Sequence, residues 1–207
     1  MSSISIIGTG GMGTTIGSLA AKAGHSVEFI GRDSTKAQTV ADQIAGATTV
    51  GTYGATPTGD IVVLAVPYAG IFDVVNEFGA SLAGKTIIDI SNTFTADATD
   101  VVTPAGTSGA EELAKALPAD ARVVKAFNTV FGHILAKGRP MDVLVAGDDA
   151  PAKASVSSFI QSLGLRPLDV GGLGMARWLE GVGPLLMGLA RHGMGTFNLA
   201  LEISTRD

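Results

Sequence analysis

Short apolar runs recur along the chain and alternate with segments in which the apolar residues have helical spacing. Strands are predicted for the runs SISII (3–7), SVEFI (26–30), DIVVLAV (60–66), KTIIDI (85–90), ARVVKAF (121–127), DVLVAG (142–147) and RPLDV (166–170). These runs are nearly continuous in apolar residues, which is typical of strands that are buried on both faces of a sheet. Strands that alternate with helices predict an α/β protein with a doubly wound, mostly parallel sheet of the Rossmann type.

Start and stop signals place several of the predicted helices. The first helix is predicted to begin within the glycines after the first strand and to end at Gly24. The segment STKAQTVADQIAG follows the second strand, and Ser34 or Thr35 is predicted to cap its helix. The segment PAKASVSSFIQSLG has Pro151 in its first turn and Gly164 past its end, which are the usual places of these residues.

The C-terminal part of the chain has a different pattern, because no strand-like run occurs between Leu173 and Leu201. One long helix or two shorter ones are predicted there from the spacing of Trp178, Val182, Leu185, Leu186 and Leu189. We therefore divide the chain into a sheet domain, residues 1–170, and a C-terminal helical segment, residues 171–207. The apolar stripe of this segment either packs on the sheet domain or forms a dimer contact or a wall of the substrate site.

The composition narrows the classes of protein that this pattern allows. A length of 207 residues suits one domain with a small appendage, and 46% hydrophobic residues with 5% aromatic ones predict a core of aliphatic side chains. The absence of Cys excludes disulfides and thiolate chemistry. A net charge of −5 without a basic stripe argues against a nucleic-acid partner. Because no apolar stretch of about 18 residues and no signal peptide are evident, we expect a cytoplasmic protein without a membrane span.

Five glycines fall within residues 5–17, directly after the first predicted strand. Gly8, Gly10 and Gly13 form the pattern G-x-G-x-x-G between a strand and a helix, which is typical of dinucleotide-binding sites. The first glycine permits a tight turn, the second lets a pyrophosphate approach the main chain, and the third lets helix and strand pack closely. Free amide N–H groups and the positive end of the helix would then bind the phosphates. A glycine-rich turn without a ligand is the alternative.

Arg32 stands where the second predicted strand ends, which is the position beside the adenine ribose in such folds. NAD-selective sites usually have Asp or Glu there, whereas a guanidinium can bind a 2′-phosphate and stack on adenine. Ser34, Thr35 and Lys36 can add donors, so the sequence favours NADP. Asp33 favours the opposite choice, because its carboxylate could repel the phosphate or accept from the NAD hydroxyl. The alternative for Arg32 is an exposed charge in a turn.

The sequence contains no recognisable nucleophile–base pair or cluster of metal ligands, so we predict no catalytic side chain and no metal site. His25 is interpreted as a surface turn residue, whereas His133 and His192 either line a cleft or have structural roles. Alcohol oxidation needs a group that moves the hydroxyl proton. Hydride transfer between a nicotinamide and a flavin-like ring needs mainly two stacked rings, which the protein orients. The shortage of proton-transfer groups favours the second chemistry.

Three segments follow predicted strands at the edge where doubly wound sheets bind ligands: VPYAG (66–70), SNTF (91–94) and FNTVFGH (127–133). Val66 and Pro67 are predicted cofactor contacts, and Tyr68 with Phe72 could form an apolar wall. The residues predicted to hydrogen-bond a carboxamide or a ring are Asn92, Asn128 and Thr129. Stabilisation of a turn is the alternative for each of them.

Several pieces of sequence match one known family in order: IIGTGGMG, GRDSTK, LAVPY, VVKAFNT, VAGDD, SLGLRPLDVGGL and PLLMGLARHGMG. On these pieces, the chain resembles the NADPH-dependent coenzyme F420 reductases (F420:NADP oxidoreductases) over almost its whole length. DISN and VVKAFNT also resemble the cytoplasmic reductase domain of six-transmembrane metalloreductases, which use a flavin. The resemblance implies direct hydride transfer between NADPH and a deazaflavin, coenzyme F420, in a homodimer.

The resemblance also implies which residues contact the ligands. The pyrophosphate would be held by Thr9, Gly10, Gly11 and Met12. The 2′-phosphate would be surrounded by Gly31, Arg32 and Lys36, with Gly31 at a position where the family commonly has Ser. The cofactor would be bordered by Tyr68 and Phe72, and Gly132 and Phe197 would lie near the nicotinamide and its partner ring. The residues expected to contact the substrate are Asn128, Thr129, Val130, His133 and Met194.

The chain departs from the family at the segment FNTVFG, which replaces an archaeal-type His-Thr-Ile-Pro-Ala core. Asn128 stands at the histidine position and Phe131 at the proline, a form closer to the metalloreductases. The acceptor is therefore either coenzyme F420 or a free flavin such as FMN or FAD. The negative net charge also fits poorly with the phosphate and polyglutamate tail of a deazaflavin. Basic residues that could compensate are Lys137, Arg139, Arg191 and His192.

Two other functions are compatible with the sequence. The first is a small imine or β-hydroxyacid reductase, because such chains also begin with a similar glycine loop and an Arg after the second strand. Those enzymes generally carry a larger helical C-terminal domain than residues 171–207 provide. The second is a non-catalytic NADP-binding sensor module.

Overall fold

Eight strands form one sheet in the computed structural model, which describes residues 1–206. The strands are β1 (Ser3–Ile7), β2 (Ser26–Ile30), β3 (Thr48–Val50), β4 (Ile61–Leu64), β5 (Thr86–Asp89), β6 (Arg122–Lys125), β7 (Asp142–Gly147) and β8 (Arg166–Gly171). Their order across the sheet is β3-β2-β1-β4-β5-β6-β7-β8, and all neighbours are parallel except β6 and β7. The predicted α/β fold with a mostly parallel sheet is confirmed.

β3 is the strand that the hydrophobic pattern did not predict. It has three residues, with the sequence TTV, and it pairs with β2 at the edge of the sheet. An edge strand is covered by less protein than a central one and does not need a continuous apolar run. The sequence of β3 therefore carries no clear strand signal.

The last two strands run opposite to the first six, because β6 and β7 pair antiparallel whereas β7 and β8 pair parallel. β7 and β8 consequently begin at the end of the sheet where β1, β4, β5 and β6 have their C-termini. The chain leaves β8 at the opposite end of the sheet. There the N–H of Leu173 donates to the carboxylate of Asp148, which directly follows β7, at 2.7 Å.

Helices cover both faces of the sheet and enclose two large hydrophobic clusters, and Leu144, Ala146 and Leu179 form a smaller third one. The helices are α1 (Gly11–Lys22), α2 (Ser34–Asp42), α3 (Ile71–Phe78), α4 (Gly109–Ala116), α5 (Gly132–Leu135), α6 (Ala150–Ser162) and α7 (Ala176–Gly188). α1, α2 and α6 bury apolar residues on one face, and α3, α4 and the start of α7 bury theirs on the other. A π-helical turn, Leu189–Gly193, continues α7. Within residues 1–206 no helix is long and apolar enough to cross a bilayer.

Asp33 caps α2, so the predicted cap at Ser34 or Thr35 is wrong. The carboxylate of Asp33 accepts the backbone N–H of Lys36 at 3.0 Å, and Asp33 has extended dihedral angles. Ser34 is already the first helical residue. Because an Asp side chain satisfies this N–H group as well as Ser does, the residue one position earlier forms the cap.

His25 is buried with 4% exposure, so its interpretation as a surface turn residue is wrong. Its Nδ1 accepts the backbone N–H of Ser2 at 3.0 Å, and its Nε2 lies 2.7 Å from the Ser162 hydroxyl. That hydroxyl donates to the Phe159 carbonyl at 2.6 Å, so Nε2 is the donor and the ring is neutral. Burial is the main cause that lowers the pKa of His25.

The predicted apolar stripe of the C-terminal segment divides between the core and the surface. Leu186 is buried and Val182 is half-buried, but Trp178, Leu185 and Leu189 are 59%, 62% and 43% exposed. The stripe as a whole therefore does not pack on the sheet domain. The residues that α7 buries are Ala176, Leu179, Glu180, Gly183 and Leu186.

Lys125 is fully buried at the end of β6 and anchors α7 to the sheet. Its ammonium donates to Asp89 Oδ2 at 2.9 Å, to Glu180 Oε1 at 2.8 Å and to the Ser91 carbonyl at 2.8 Å. Glu180 Oε2 also accepts the first N–H group of α4, from Gly109, at 3.0 Å. Three buried ionised side chains thus join β5, β6, α4 and α7. They explain why a polar residue lies on the inner face of α7, which spacing alone did not predict.

Lys125→Met should destabilise the fold, because Asp89 and Glu180 would stay buried without their counter-charge. We expect the free energy of unfolding to fall by about 3–5 kcal/mol. Urea denaturation followed by circular dichroism measures this loss. Lys115→Met, at an exposed position of α4, is the matched control and should cost less than about 0.5 kcal/mol. Equal losses in the two variants would contradict the role of the buried ammonium.

The neutral, buried state of His25 predicts a stability that falls in mild acid. In the unfolded chain its pKa returns to about 6.5, so the unfolded chain binds more protons below that pH than the folded chain does. The free energy of unfolding should therefore decrease as the pH is lowered from about 7 toward 5. His25→Gln should flatten this dependence, and exposed His192→Gln should leave it unchanged. The same pH slope in wild type and His25→Gln would exclude this origin.

Candidate functional site

The loop after β1 leaves an open space above the main chain. Gly8 has a φ of +121°, and a Cβ there would clash with the carbonyl oxygen of Ala65. A Cβ at Gly13 would clash with the carbonyl oxygen of Gly8. The packing of the chain itself thus requires both of these glycines. Gly10 and Gly11 differ, because apart from their chain neighbours and the backbone of α1 no atom lies within 4 Å of where their Cβ would stand. Their lack of side chains therefore fits the close approach of a ligand.

The N-terminus of α1 carries no side-chain cap from residues 1–206. Gly10 is the N-cap residue, and the first turn contains no acidic residue. The helix has twelve residues, so its free N–H groups and its dipole place partial positive charge at the loop. This arrangement fits a pyrophosphate group.

A cleft of about 600 Å³, which we call the first cleft, opens at this loop. It is formed by residues at and after the C-terminal ends of β1 and β2 and by residues that follow β3 and β4. They are Ile7, Gly8, Thr9, Gly10, Ile30, Gly31, Arg32, Asp33, Lys36, Tyr53, Ala65, Val66, Pro67, Ala69, Gly70, Asp73 and Val74. Of the residues predicted for the pyrophosphate, Thr9 and Gly10 line this cleft, whereas Gly11 and Met12 do not. The residues expected to surround the 2′-phosphate, Gly31, Arg32 and Lys36, all line it. Tyr53 and Asp73 were missed, because they come from other parts of the chain.

Arg32 and Lys36 are the basic residues of the first cleft. Arg32 Nη2 lies 3.2 Å from Asp73 Oδ2, and Arg32 Nε donates to the Tyr53 hydroxyl at 3.4 Å. The guanidinium carbon lies 6.0 Å from the centre of the Tyr53 ring. The carboxylate of Asp33, which weighed against NADP in the sequence, accepts the backbone N–H of Lys36. That carboxylate therefore has a structural partner within the protein.

Tyr68 and Phe72 lie outside the residues that line either cavity described here. The Tyr68 hydroxyl donates to the Glu112 carboxylate, and burial is the main cause that raises its pKa. Its ring also lies against α4, where a Cβ on Gly109 would be 2.8 Å from Cε2. Phe72 packs edge-on against Tyr68, with centroids 5.8 Å apart. The predicted contacts of both aromatic rings with a cofactor stay predictions.

A second pocket, of about 230 Å³, lies at the start of α1. The residues that line it follow β5 and β6 or belong to α1, α5 and α7. They are Met12, Asn92, Phe94, Asn128, Thr129, Val130, Phe131, Gly132, Gly183, Leu186 and Met187. Six of the predicted site residues therefore meet here: Met12, Asn92, Asn128, Thr129, Val130 and Gly132.

The sequence analysis offered a wall of the substrate site as one role of the apolar stripe in the tail. Of that stripe only Leu186 lines the second pocket, and Gly183 and Met187, which line it with Leu186, were not named. Phe94 packs so closely over Gly183 that a Cβ at this glycine would clash with the ring. Met187 lines the same pocket from the last turn of α7. Phe94 belongs to the segment SNTF, which the sequence placed near the ligand-binding end of the sheet. Nothing in the local sequence indicates that Phe94 contacts residues of α7.

Two asparagines fix the polar side of the second pocket. Asn128 Nδ2 donates to Asn92 Oδ1 at 3.0 Å and to the Leu179 carbonyl at 2.8 Å. Asn92 Nδ2 donates in turn to the Asn128 carbonyl at 2.9 Å. The preceding residue, Phe127, has a φ of +63°, which is uncommon for a residue other than glycine. The amide of Asn128 therefore holds α7 against the loops after β5 and β6.

His133, Phe197 and Met194 lie outside the lining of the second pocket. His133 Nε2 is 3.0 Å from the Phe197 carbonyl, and the Phe197 ring packs edge-on against Phe131, with centroids 6.3 Å apart. Phe197 and Met194 are 43% and 64% exposed. Phe131 connects the first two of these residues to the pocket, and their substrate contacts stay predictions.

The second pocket is lined by apolar, amide and hydroxyl side chains, without His, Asp, Glu, Lys or Arg among its described lining residues. Within residues 1–206 no group of three or more potential ligands could hold a metal ion. The side chains that face this pocket can therefore orient a ring and exclude water, but they cannot exchange protons readily at neutral pH.

Comparisons with known proteins are consistent with this geometry. The family model described as "NADP oxidoreductase coenzyme F420-dependent" matches residues 3–93. The chain is 30% identical over an alignment of 199 residues to the F420-dependent NADP reductase of Methanothermobacter thermautotrophicus. That match covers 88% of this chain and 86% of that protein. It is 39% identical over 105 residues to the metalloreductase STEAP3 of Rattus norvegicus. That match spans 49% of this chain and 20% of the metalloreductase.

Solved structures give the same family and a wider group that shares the fold. The crystal structure of a proposed F420-dependent NADP reductase from Arthrobacter sp. FB24 has a TM-score of 0.86 and 26% identity, with 98% of this chain and 99% of that one covered. An imine reductase from Aspergillus terreus has a TM-score of 0.71 and 22% identity, with 91% of this chain and 61% of that one covered. The second likeness shows the fold alone. From the family model and the Methanothermobacter reductase, the chain belongs to the family of coenzyme F420-dependent NADP oxidoreductases.

Proposed function

We propose that this protein transfers a hydride directly between NADP(H) and a deazaflavin such as coenzyme F420, or a flavin. The observation that carries the proposal is the pair of cavities at the glycine loop. Gly10 lines the first cleft and Met12 lines the second pocket, so two ligands bound there would meet at the start of α1. The lack of proton-exchanging side chains among the described residues of the second pocket fits transfer between two rings.

The first cleft fits NADP(H). The open space over Gly10 and Gly11 and the free N–H groups of α1 suit the pyrophosphate. Arg32 and Lys36 would bind the 2′-phosphate, and Val66 and Pro67 add apolar surface to the same cleft. When bound, NADPH supplies the hydride.

The second pocket would hold the reacting rings. Asn92, Asn128 and Thr129 offer polar groups, and Phe131 with Leu186 offers apolar surface. The part of these residues is to orient both rings and to exclude water, because a hydride must not meet solvent. Coenzyme F420 and a flavin both suit such a pocket. The family favours the first, and Asn128 and Phe131, which match the metalloreductase form, favour the second.

The exposed apolar residues of α7 and of the π-helical turn after it support a homodimer. Trp178, Leu185 and Leu189 lie on one helical face, which is costly to leave in water. We therefore propose that two copies of the chain form a homodimer through residues 171–207. These residues would form both the dimer contact and part of the substrate site. We also propose that the protein acts in the cytoplasm, on small-molecule redox cofactors.

Arg32→Ala should weaken NADPH binding by about 10- to 100-fold, since one charge-assisted contact with a phosphate is lost. NADH, which has no 2′-phosphate, should lose less than about threefold. Isothermal calorimetry measures both dissociation constants. Arg206→Ala, an exposed position beyond the last strand, is the control and should change neither. Similar losses for the two nucleotides would remove Arg32 from the 2′-phosphate site.

Oxidation of NADPH labelled with deuterium at C4 tests the reaction itself. With oxidised coenzyme F420 as acceptor, we expect deuterium at C5 of the reduced deazaflavin, because direct transfer does not exchange with water. Mass spectrometry of the product measures the label. Met187→Trp should fill the second pocket and abolish turnover while NADPH still binds. Met175→Trp, outside this pocket, should remain active.

Other outcomes of the same assay would favour other functions. Oxidation by FMN or FAD alone would identify the flavin as the acceptor. Oxidation by imines or keto acids alone would favour a reductase of that kind. NADPH binding without any turnover would favour a sensor module.

A further inference from the structure

Asp73 is a charged residue of the first cleft that the proposed function does not use. The cleft is lined by two basic residues, Arg32 and Lys36, and by two carboxylates, Asp33 and Asp73. Asp33 caps α2 through the Lys36 N–H. Asp73 forms no hydrogen bond with a backbone group of residues 1–206, and its contact is with Arg32.

The contact between Arg32 and Asp73 connects two walls of the cleft. Arg32 follows β2, and Asp73 lies in the first turn of α3, which follows β4. Arg32 Nη2 and Asp73 Oδ2 are 3.2 Å apart, and the side chains are 65% and 69% exposed. A single exposed contact of this kind is weak and easily broken.

We propose that Asp73 is a specificity-determining residue that competes with the 2′-phosphate of NADP(H) for Arg32. The inference rests on the proposed binding of NADP(H) in the first cleft. A phosphate can take both donor nitrogens of a guanidinium, so it can displace the carboxylate. Asp73 then stays in the same cleft and repels the phosphate. The carboxylate therefore lowers the affinity for NADP(H) more than that for NAD(H).

A purely structural role of Asp73 would have a different signature. An acidic residue in the first turn of α3 also interacts favourably with the helix dipole. Loss of that interaction would affect the stability of the helix and both nucleotides alike. The ratio of the NADPH and NADH dissociation constants therefore separates the two roles.

The test is calorimetry of the full chain with NADPH and with NADH. Asp73→Asn keeps the size of the side chain and should bind NADPH about two- to fivefold tighter, with NADH changed less than twofold. The gain should shrink in about 1 M salt, where charges are screened beyond about 3 Å. Asp120→Asn makes the same charge change at an exposed site before β6, at the other edge of the sheet, and should alter neither constant.

A double variant checks that Asp73 acts on Arg32. In the Arg32→Ala background, Asp73→Asn should improve NADPH binding less than it does in the wild type, because the competition for the guanidinium is gone. An unchanged or weaker NADPH affinity relative to NADH in Asp73→Asn would overturn the inference. Failure of the wild-type protein to bind NADPH at all would instead overturn the proposed function, and the inference with it.

Discussion

The buried ammonium of Lys125 is the contact on which the candidate site depends. With Asp89 and Glu180 it forms an ion network inside the protein that joins two strands and two helices. A buried charge of this kind tolerates little displacement, because each partner would otherwise stay desolvated without compensation. The network holds α7 in register, and α7 supplies Gly183, Leu186 and Met187 to the second pocket. The shape of the second pocket thus depends on polar contacts away from its surface.

Local patterns in the sequence predicted most of the fold. Seven of the eight strands were predicted from short, mostly apolar runs, and six of them, β1, β2 and β4 to β7, bury nearly all of their residues. β3 was not predicted because it is an edge strand of only three residues, TTV, whereas β8, at the other edge, is six residues long. The cap at Asp33 differed by one position, since neighbouring residues compete for the same N–H group. The burial of His25 depends on Ser2 and Ser162, whose proximity no local pattern reveals.

The same contrast holds for the candidate site. The glycine loop and Arg32 were predictable because a short segment contains all the residues that matter. The second pocket combines loops after β5 and β6 with a helix some 50 residues further along the chain, as the contact of Asn128 with Leu179 shows (51 residues apart). Tyr68 follows a strand that ends at the ligand-binding edge, yet its ring lies against α4, because Gly109 leaves room there. Position along a strand therefore predicted the neighbourhood of a residue better than the direction of its side chain.

The reversed direction of β7 and β8 determines which part of the chain completes the second pocket. The chain leaves β8 at the end of the sheet far from the glycine loop. The next helix, α7, therefore runs back toward the end where the loop lies. The thirteen residues of α7 span about 20 Å, roughly the length of that return path. If β7 and β8 ran parallel to the other strands, the chain would leave β8 beside the glycine loop. The helix after β8 would then run away from the second pocket. The antiparallel pairing of β6 with β7 thus allows the C-terminal half of α7 to form a wall of the second pocket.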